Sequence, residues 1–277
     1  MRYLNLGCGQ RRHPDWLNLD VAPVAPDVLP HDVLADLPFP DCSFDAVYHS
    51  HLLEHLPRRR APHLVKECFR VLRPAGTVRV AVPDLEGIAR AYLRALDNAE
   101  AGVPLASAHH EWLVLELYDQ AVREHSGGDM ADYLMQDVLP DEAFVLQRCG
   151  AEARQILEAR RARPPEHQHE QSAAPRRPSR REEGEPLKER LLRMLLGSEY
   201  ELLEVARFRS SGEVHRWMYD RHSLGTLLRE AGFTEVQARK ARESSIAGWA
   251  SYKLDADADG GVFKPDSLFM EARRPDA

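Results

Sequence analysis

Within its first nine residues the chain passes from an apolar run, Tyr3 to Leu6, straight into Gly7-Cys8-Gly9. Glycines at the end of a buried strand let a ligand approach backbone that a side chain would shield, which points to an α/β sheet binding its ligand over the strands' carboxyl ends. A second apolar run, Trp16 to Leu19, ends on Asp20, where a carboxylate can accept hydrogen bonds from two ribose hydroxyls. The interval from Gly9 to Asp20 is too short for a full helix with its turns, so the first helix is expected to be reduced or absent. Arg11 stands where a third glycine is common in such loops.

The same reading extends along the chain. Ala46 to Tyr48 and Val78 to Val82 are strand-length apolar runs, and between them Ala61 to Leu72 spaces Leu64, Val65, Cys68, Phe69 and Leu72 on one helical face. Arg73-Pro74-Ala75-Gly76 stops that helix, completing one right-handed βαβ unit. From Leu85 to about Arg160 the pattern is helical, with stripes at Ile88, Tyr92, Leu93, Leu96 and at Leu113, Val114, Leu117, Tyr118. The stretch 160–186 lacks large apolar side chains and reads as a flexible charged linker, its HQHE cluster (His167 to Glu170) as solvated. Leu187, Leu191, Leu192, Leu195 and Leu196 then form a packing stripe. Ser223 to Glu230 reads as a helix closed by Ala231-Gly232-Phe233, Thr234 to Ala238 and Ser267 to Ala272 as strands, and the aspartate-rich 255–261 as a solvated turn. The expected organisation is a core over 1–84, a helical insertion or cap over 85–214, and completion of the core over 215–277.

Charge narrows the partners. A net charge of -7 argues against a whole-protein grip on nucleic acid or an anionic membrane, although Arg176 to Arg181 is a local basic run. No apolar stretch reaches the roughly 20 residues of a membrane-spanning helix. Four scattered cysteines without a CxxC pair, and an opening with no room for a secretory signal, lead to the expectation of a reducing, cytoplasmic setting.

The order of these features resembles the class I S-adenosylmethionine-dependent methyltransferases over residues 1–84 and about 215–274. The likeness rests on LNLGCG, on Asp20, and on SFDAVYHSHLLEHL, RVLRPAGTVRVAVPD, HRWMYDRHSLGTLLREAGF and SLFMEAR. Within that class the chain is similar to a bacterial group, often linked to glycan and secondary-metabolite pathways, that begins LNLGCG and carries H-x-W/M-Y-D before its last helix. The resemblance implies a Rossmann-like seven-stranded sheet with an antiparallel C-terminal strand. It also implies S-adenosyl-L-methionine as methyl donor, held by Asn5, Gly7, Cys8, Gly9, Asp20, the adenine-contacting pair Asp36 and Leu37, and His49 and Ser50. The implied reaction is O-methylation of a sugar, glycan or small metabolite. An NAD-binding oxidoreductase and a non-catalytic binder of the donor or its product are the rival readings.

For the chemistry, His51-Leu52-Leu53-Glu54-His55 is read as the opening of a helix with its three polar groups on one face. It resembles the Glu-x-x-Glu-His motif with which ubiquinone-biosynthesis O-methyltransferases hold a divalent ion, with His51 in place of the first Glu. Three readings stand: a general base, His55 ahead of His51; a divalent ion on His51, Glu54 and His55, which methyl transfer does not require; or a structural turn. His215 is a third candidate base, and Asp84, Tyr219 and Asp220 are expected at the acceptor edge. His109-His110-Glu111 reads as a surface or cap cluster.

Overall fold

A computed structural model describes residues 1–162, 187–257 and 260–276. Of the expected linker over 160–186, Arg160 and Arg161 are helical, and residues 163–186, with the HQHE cluster and Arg176 to Arg181, lie outside the described residues. Seven strands form one sheet: β1 (Tyr3–Leu6), β2 (Trp16–Asp20), β3 (Val28–Pro30), β4 (Phe44–Ser50), β5 (Leu72–Pro83), β6 (Thr234–Arg239) and β7 (Ser267–Arg273), in the order β3-β2-β1-β4-β5-β7-β6. β1 to β5 are parallel, and β7 runs antiparallel to both β5 and β6. This is the class I methyltransferase sheet that the sequence led us to expect, and its reversed β7 counts against the NAD reading.

Side-chain alternation divides the buried strands between two faces. Leu4, Leu6, Leu19, Val47, Val78, Val80 and Val82 form the main core with helix α1 (Ala61–Val71). Leu224 and Leu228 join it from a later helix, Arg221–Glu230, whose start is closed by a reciprocal Asp220–Ser223 capping box. On the opposite face Tyr3, Trp16, Ala46 and Tyr48 meet Ile246, Trp249 and Leu254. No helix joins β1 to β2, as the short interval predicts, and the segment between β6 and β7 covers the face thus left bare.

That covering segment corrects one expectation. Asp255 is buried, not solvated: it accepts from the Tyr48 hydroxyl and from Arg79 Nε at 2.8 Å. Burial of Arg79 in mid-strand demands compensating carboxylates, and the turn supplies one.

The insertion leaves the sheet at Asp84 and returns beside it, with Asp84 and Tyr219 bridged. Its helices are α2 (Leu85–Glu100), α3 (Ala106–Val114), α4 (Gln120–Val122, after a π turn at Leu115–Asp119), α5 (Gly128–Leu134), α6 (Glu142–Arg161), α7 (Leu187–Leu196) and α8 (Glu199–Arg209); the Arg221–Glu230 helix is then α9, and Trp249–Tyr252 is α10. Trp112, Tyr133, Leu134, Val145, Cys149 and Leu157 give the insertion its own core. His109, read as part of a surface or cap cluster, has a defined partner: its Nε2 lies 2.8 Å from Oδ2 of Asp141, the residue that caps α6, and its ring stacks on Phe144. Leu93 is exposed, because α2 buries Ile88, Ala91 and Ala95 instead. The α7 stripe is likewise no closed packing face: Leu191, Met194 and Leu195 stand exposed. No described helix is long and apolar enough to cross a membrane.

Candidate functional site

The carboxyl ends of β1, β2 and β4 meet at one edge, and the glycine turn lies across it. Gly7 and Gly9 both take positive φ, +59° and +49°, the region where a side chain is strained. Their surroundings differ. A Cβ on Gly7 would stand 2.8 Å from Leu52 Cδ1, whereas one on Gly9 would meet nothing within 4 Å. Gly7 thus admits Leu52, and Gly9 leaves open space. Asp20, half-buried at the end of β2, accepts from Gly9 N–H at 2.8 Å through Oδ2 and from Ala22 N–H at 2.9 Å through Oδ1. Each oxygen keeps a lone pair for a further donor.

Other expected donor contacts are placed differently. Asn5 lies on the opposite sheet face, its Nδ2 donating to Arg11 O and Asn18 Oδ1, both at 3.0 Å, so it shapes the loop rather than facing a ligand. Cys8 turns its thiol inward, and burial pushes it up to about 11. His49 is fully buried against the main core, its two ring nitrogens unpartnered, and burial holds it down at about 4 despite nearby Glu54. Ser50 is half-buried at the end of β4.

The Asp36–Leu37 pair is a clearer correction. Leu37 is in the main core, its N–H donating to Glu67 Oε2 at 2.7 Å, and Asp36 projects outward 3.4 Å from His63. The chain turns directly after β3, where His31 N–H donates to Asp20 O, and by residue 37 it has descended beside the middle of α1. His31, whose N–H donates to Asp20 O at 3.0 Å, is the residue that the chain keeps beside the end of β2.

The second constellation follows β4. His51 has φ +50° and so cannot open a helix; Leu53–His55 form a single 3-10 turn, and Pro57 delays helix α1 to Ala61. The turn still gathers the polar groups. His51 Nδ1 stands 3.1 Å from Glu54 Oε1, and His51 Nε2 is 2.8 Å from Ser267 Oγ. Burial alone would raise the Glu54 carboxyl, but His51, His215 and His55 outweigh it and bring it to about 2. The His215 ring meets His55 edge-on with centroids 4.7 Å apart, and burial lowers both, His215 to about 3. Tyr219 is buried in the main core, and Asp220 is consumed in capping α9.

Of the three histidines, His51 borders a cavity of about 70 Å³ between the sheet edge and the insertion, lined also by Trp112, Met130, Leu134, Glu152 and Lys264. Lys264 and Glu152 pair at 3.0 Å beside it. The insertion residues carry no motif, so only the fold brings them to His51.

Residues 15–80 match the family described as "Methyltransferase domain". Residues 15–80, which run from β2 into β5, thus resemble a methyltransferase domain. A probable S-adenosylmethionine-dependent methyltransferase of Mycolicibacterium smegmatis is 46% identical over 54 residues, which span 20% of this chain and 20% of that relative. Among solved structures, an S-adenosylmethionine-dependent methyltransferase from Mesorhizobium loti aligns over 99% of this chain and 90% of its own at 14% identity and a TM-score of 0.39. Another from Archaeoglobus fulgidus aligns over 99% and 86% at 12% identity and a TM-score of 0.38. S-adenosylmethionine is the donor of such a domain. The residues present fit it: open space at Gly9 lies beside the Asp20 carboxylate, which has lone pairs to spare.

Proposed function

We propose that the protein transfers the methyl group of S-adenosylmethionine to a hydroxyl of a small metabolite or sugar bound between the sheet edge and the insertion. The observation that carries this reading is His51, which borders that cavity while Glu54 Oε1 stands 3.1 Å from its Nδ1. The donor supplies an electrophilic methyl on a sulfonium, which moves in line to the acceptor oxygen. Gly9 and Asp20 would seat the donor, and Leu52, packed at Gly7, lies between that seat and the 3-10 turn. The Glu54 carboxylate favours a proton on His51 Nδ1, leaving Nε2 with a lone pair. Nε2 now faces Ser267 Oγ; an acceptor hydroxyl taking that place would give its proton to Nε2. The insertion excludes water from the cavity and sets what enters it.

The test is incubation with labelled S-adenosylmethionine and fractions of small metabolites and glycans, with the labelled product identified by mass spectrometry. His51→Ala is expected to lower turnover about 100-fold or more while S-adenosylhomocysteine affinity stays within a few-fold, because a base acts in the transition state. Full turnover in folded His51→Ala would move the base to another residue. Donor binding with no product from any fraction would favour a non-catalytic binder.

A further inference from the structure

Behind His51, the Glu54 carboxylate has no exposure to solvent: Oε1 stands 3.1 Å from His51 Nδ1, and Oε2 has no hydrogen-bond partner. One of those oxygens, one ring nitrogen of His55 and one of His215 all lie within 4.8 Å of one another. His55 Nδ1 is also enclosed without a partner. A buried carboxylate with one oxygen unpartnered, beside an unpartnered imidazole nitrogen, is costly, and a bound cation would offset the cost.

The three groups come from two parts of the chain. Glu54 and His55 sit on the 3-10 turn after β4, and His215 lies on the segment returning from the insertion. The same two segments are already joined by backbone, since Arg216 and Trp217 N–H both donate to Glu54 O at 2.7 and 3.2 Å. We propose that Glu54, His55 and His215 bind a divalent transition-metal ion, Zn²⁺ being the best match, which clamps the insertion's return segment to the turn that carries His51. Two imidazoles and one carboxylate suit Zn²⁺, Mn²⁺ or Fe²⁺, whereas Mg²⁺ and Ca²⁺ want an all-oxygen shell. Metal-nitrogen bonds near 2.1 Å would draw the donors together by roughly 1 Å, within reach of side-chain rotation. This set differs from the trio legible in the sequence: His51 faces the cavity, and His215 takes its place. The inference stands apart from the methyl-transfer reading, since the site would hold its ion whether or not the protein turns over.

The full chain, without an affinity tag, is stripped with chelator, dialysed against Zn²⁺ and assayed for metal content. One ion per chain and a raised melting temperature are expected, and Co²⁺ in its place should give the visible d–d bands of a nitrogen-ligated ion. His215→Ala and His55→Ala should each weaken Zn²⁺ binding by roughly 100-fold or more. The melting shift with S-adenosylhomocysteine, read on the same variants, reports donor binding separately, so loss of one reading is not loss of the other. His125→Ala tests the other grouping of ligand types, the more exposed His125, Asp129 and Asp132, and should leave one ion in place. The proposal is overturned if folded wild type retains none of Zn²⁺, Co²⁺ or Mn²⁺. It is equally overturned if binding survives intact in the His55 and His215 variants, or is lost in His125→Ala.

Discussion

Helices α1 and α9 cover one face of the sheet, and the irregular segment between β6 and β7 covers the other, and the two coverings are held by different forces. On the helical face, Leu64, Val65, Cys68, Leu224 and Leu228 meet the strands as an apolar layer with little direction to it. On the opposite face the aromatic rings of Trp16, Tyr48 and Trp249 surround a fully buried Arg79. Its guanidinium donates to Asp255 and Glu271, both at 2.8 Å, and to the carbonyls of Lys240, Ala241 and Glu243, while stacking on Trp249. Glu243 O takes its donor from Arg79, while Lys240 O and Ala241 O, which also accept from Glu243 N–H and Trp249 Nε1, are tied to the strand by the same guanidinium. The comparison teaches that where a helix is missing, directional polar contacts can take over the work of an apolar stripe, at the cost of tolerance to change.

Arg79→Ala attacks that difference most directly. It removes the buried cation between two buried carboxylates, leaving Asp255 with Tyr48 and Glu271 with Ser244, Ser245 and Arg239, and takes the donor from Glu243 O, so a loss of about 3–5 kcal/mol is expected in urea denaturation. A loss under about 1 kcal/mol, the range of a surface pair, would break the comparison. Leu64→Ala on the helical face should cost about 3 kcal/mol, from lost burial and the cavity left behind. A smaller effect belongs to Arg11→Ala. Arg11 reaches the covering segment at Leu254 O, Ala256 O and Asp257 Oδ1 and lies over Phe263, yet the pair is about 30% exposed on each side. Its loss should cost about 1 kcal/mol, and salt should reduce it further. The smallest effect is confined to acid. The Arg70 hydrogen bond holds the Glu67 carboxyl below its ordinary value, aided by Leu37 N–H and opposed by burial. Its contribution is therefore complete above the unfolded carboxyl pKa of about 4.5 and is lost as pH falls through the lower folded value. Glu67→Gln should lower the melting temperature at neutral pH and flatten that part of the acid limb; an unchanged limb would remove Glu67 from the account.

The site divides along similar lines. The turn at Gly7 and Gly9 and the carboxylate of Asp20 at the end of β2 were legible because backbone freedom and a strand-end carboxylate are local properties of the sequence. Asp36 and Leu37 misled because residue type was read without the descent of the chain after β3. His51 misled in another way: its spacing to Glu54 and His55 is helical, but a positive φ and Pro57 hold the segment to one 3-10 turn. The groups still converge, so their chemistry survives the wrong element. Arg79 was passed over because a lone arginine in an alternating strand looks solvent-facing until both sides of the sheet are covered.

Period and punctuation alone were enough for six of the seven strands, all but the short β3, for α1 and α9, and for the missing helix between β1 and β2, because each depends on residues close in the chain. Three decisions needed the folded chain. Asp255 becomes a core ion rather than a loop residue, because the segment that carries it closes over Arg79. His51, rather than His55 or His215, borders the cavity, because the insertion packs over that side of the 3-10 turn. His215 reaches Glu54 and His55, because the insertion returns to the sheet beside the point where it left. Each joins residues far apart in sequence, and such contacts leave no local pattern: their free energy exists only once both partners have been desolvated together.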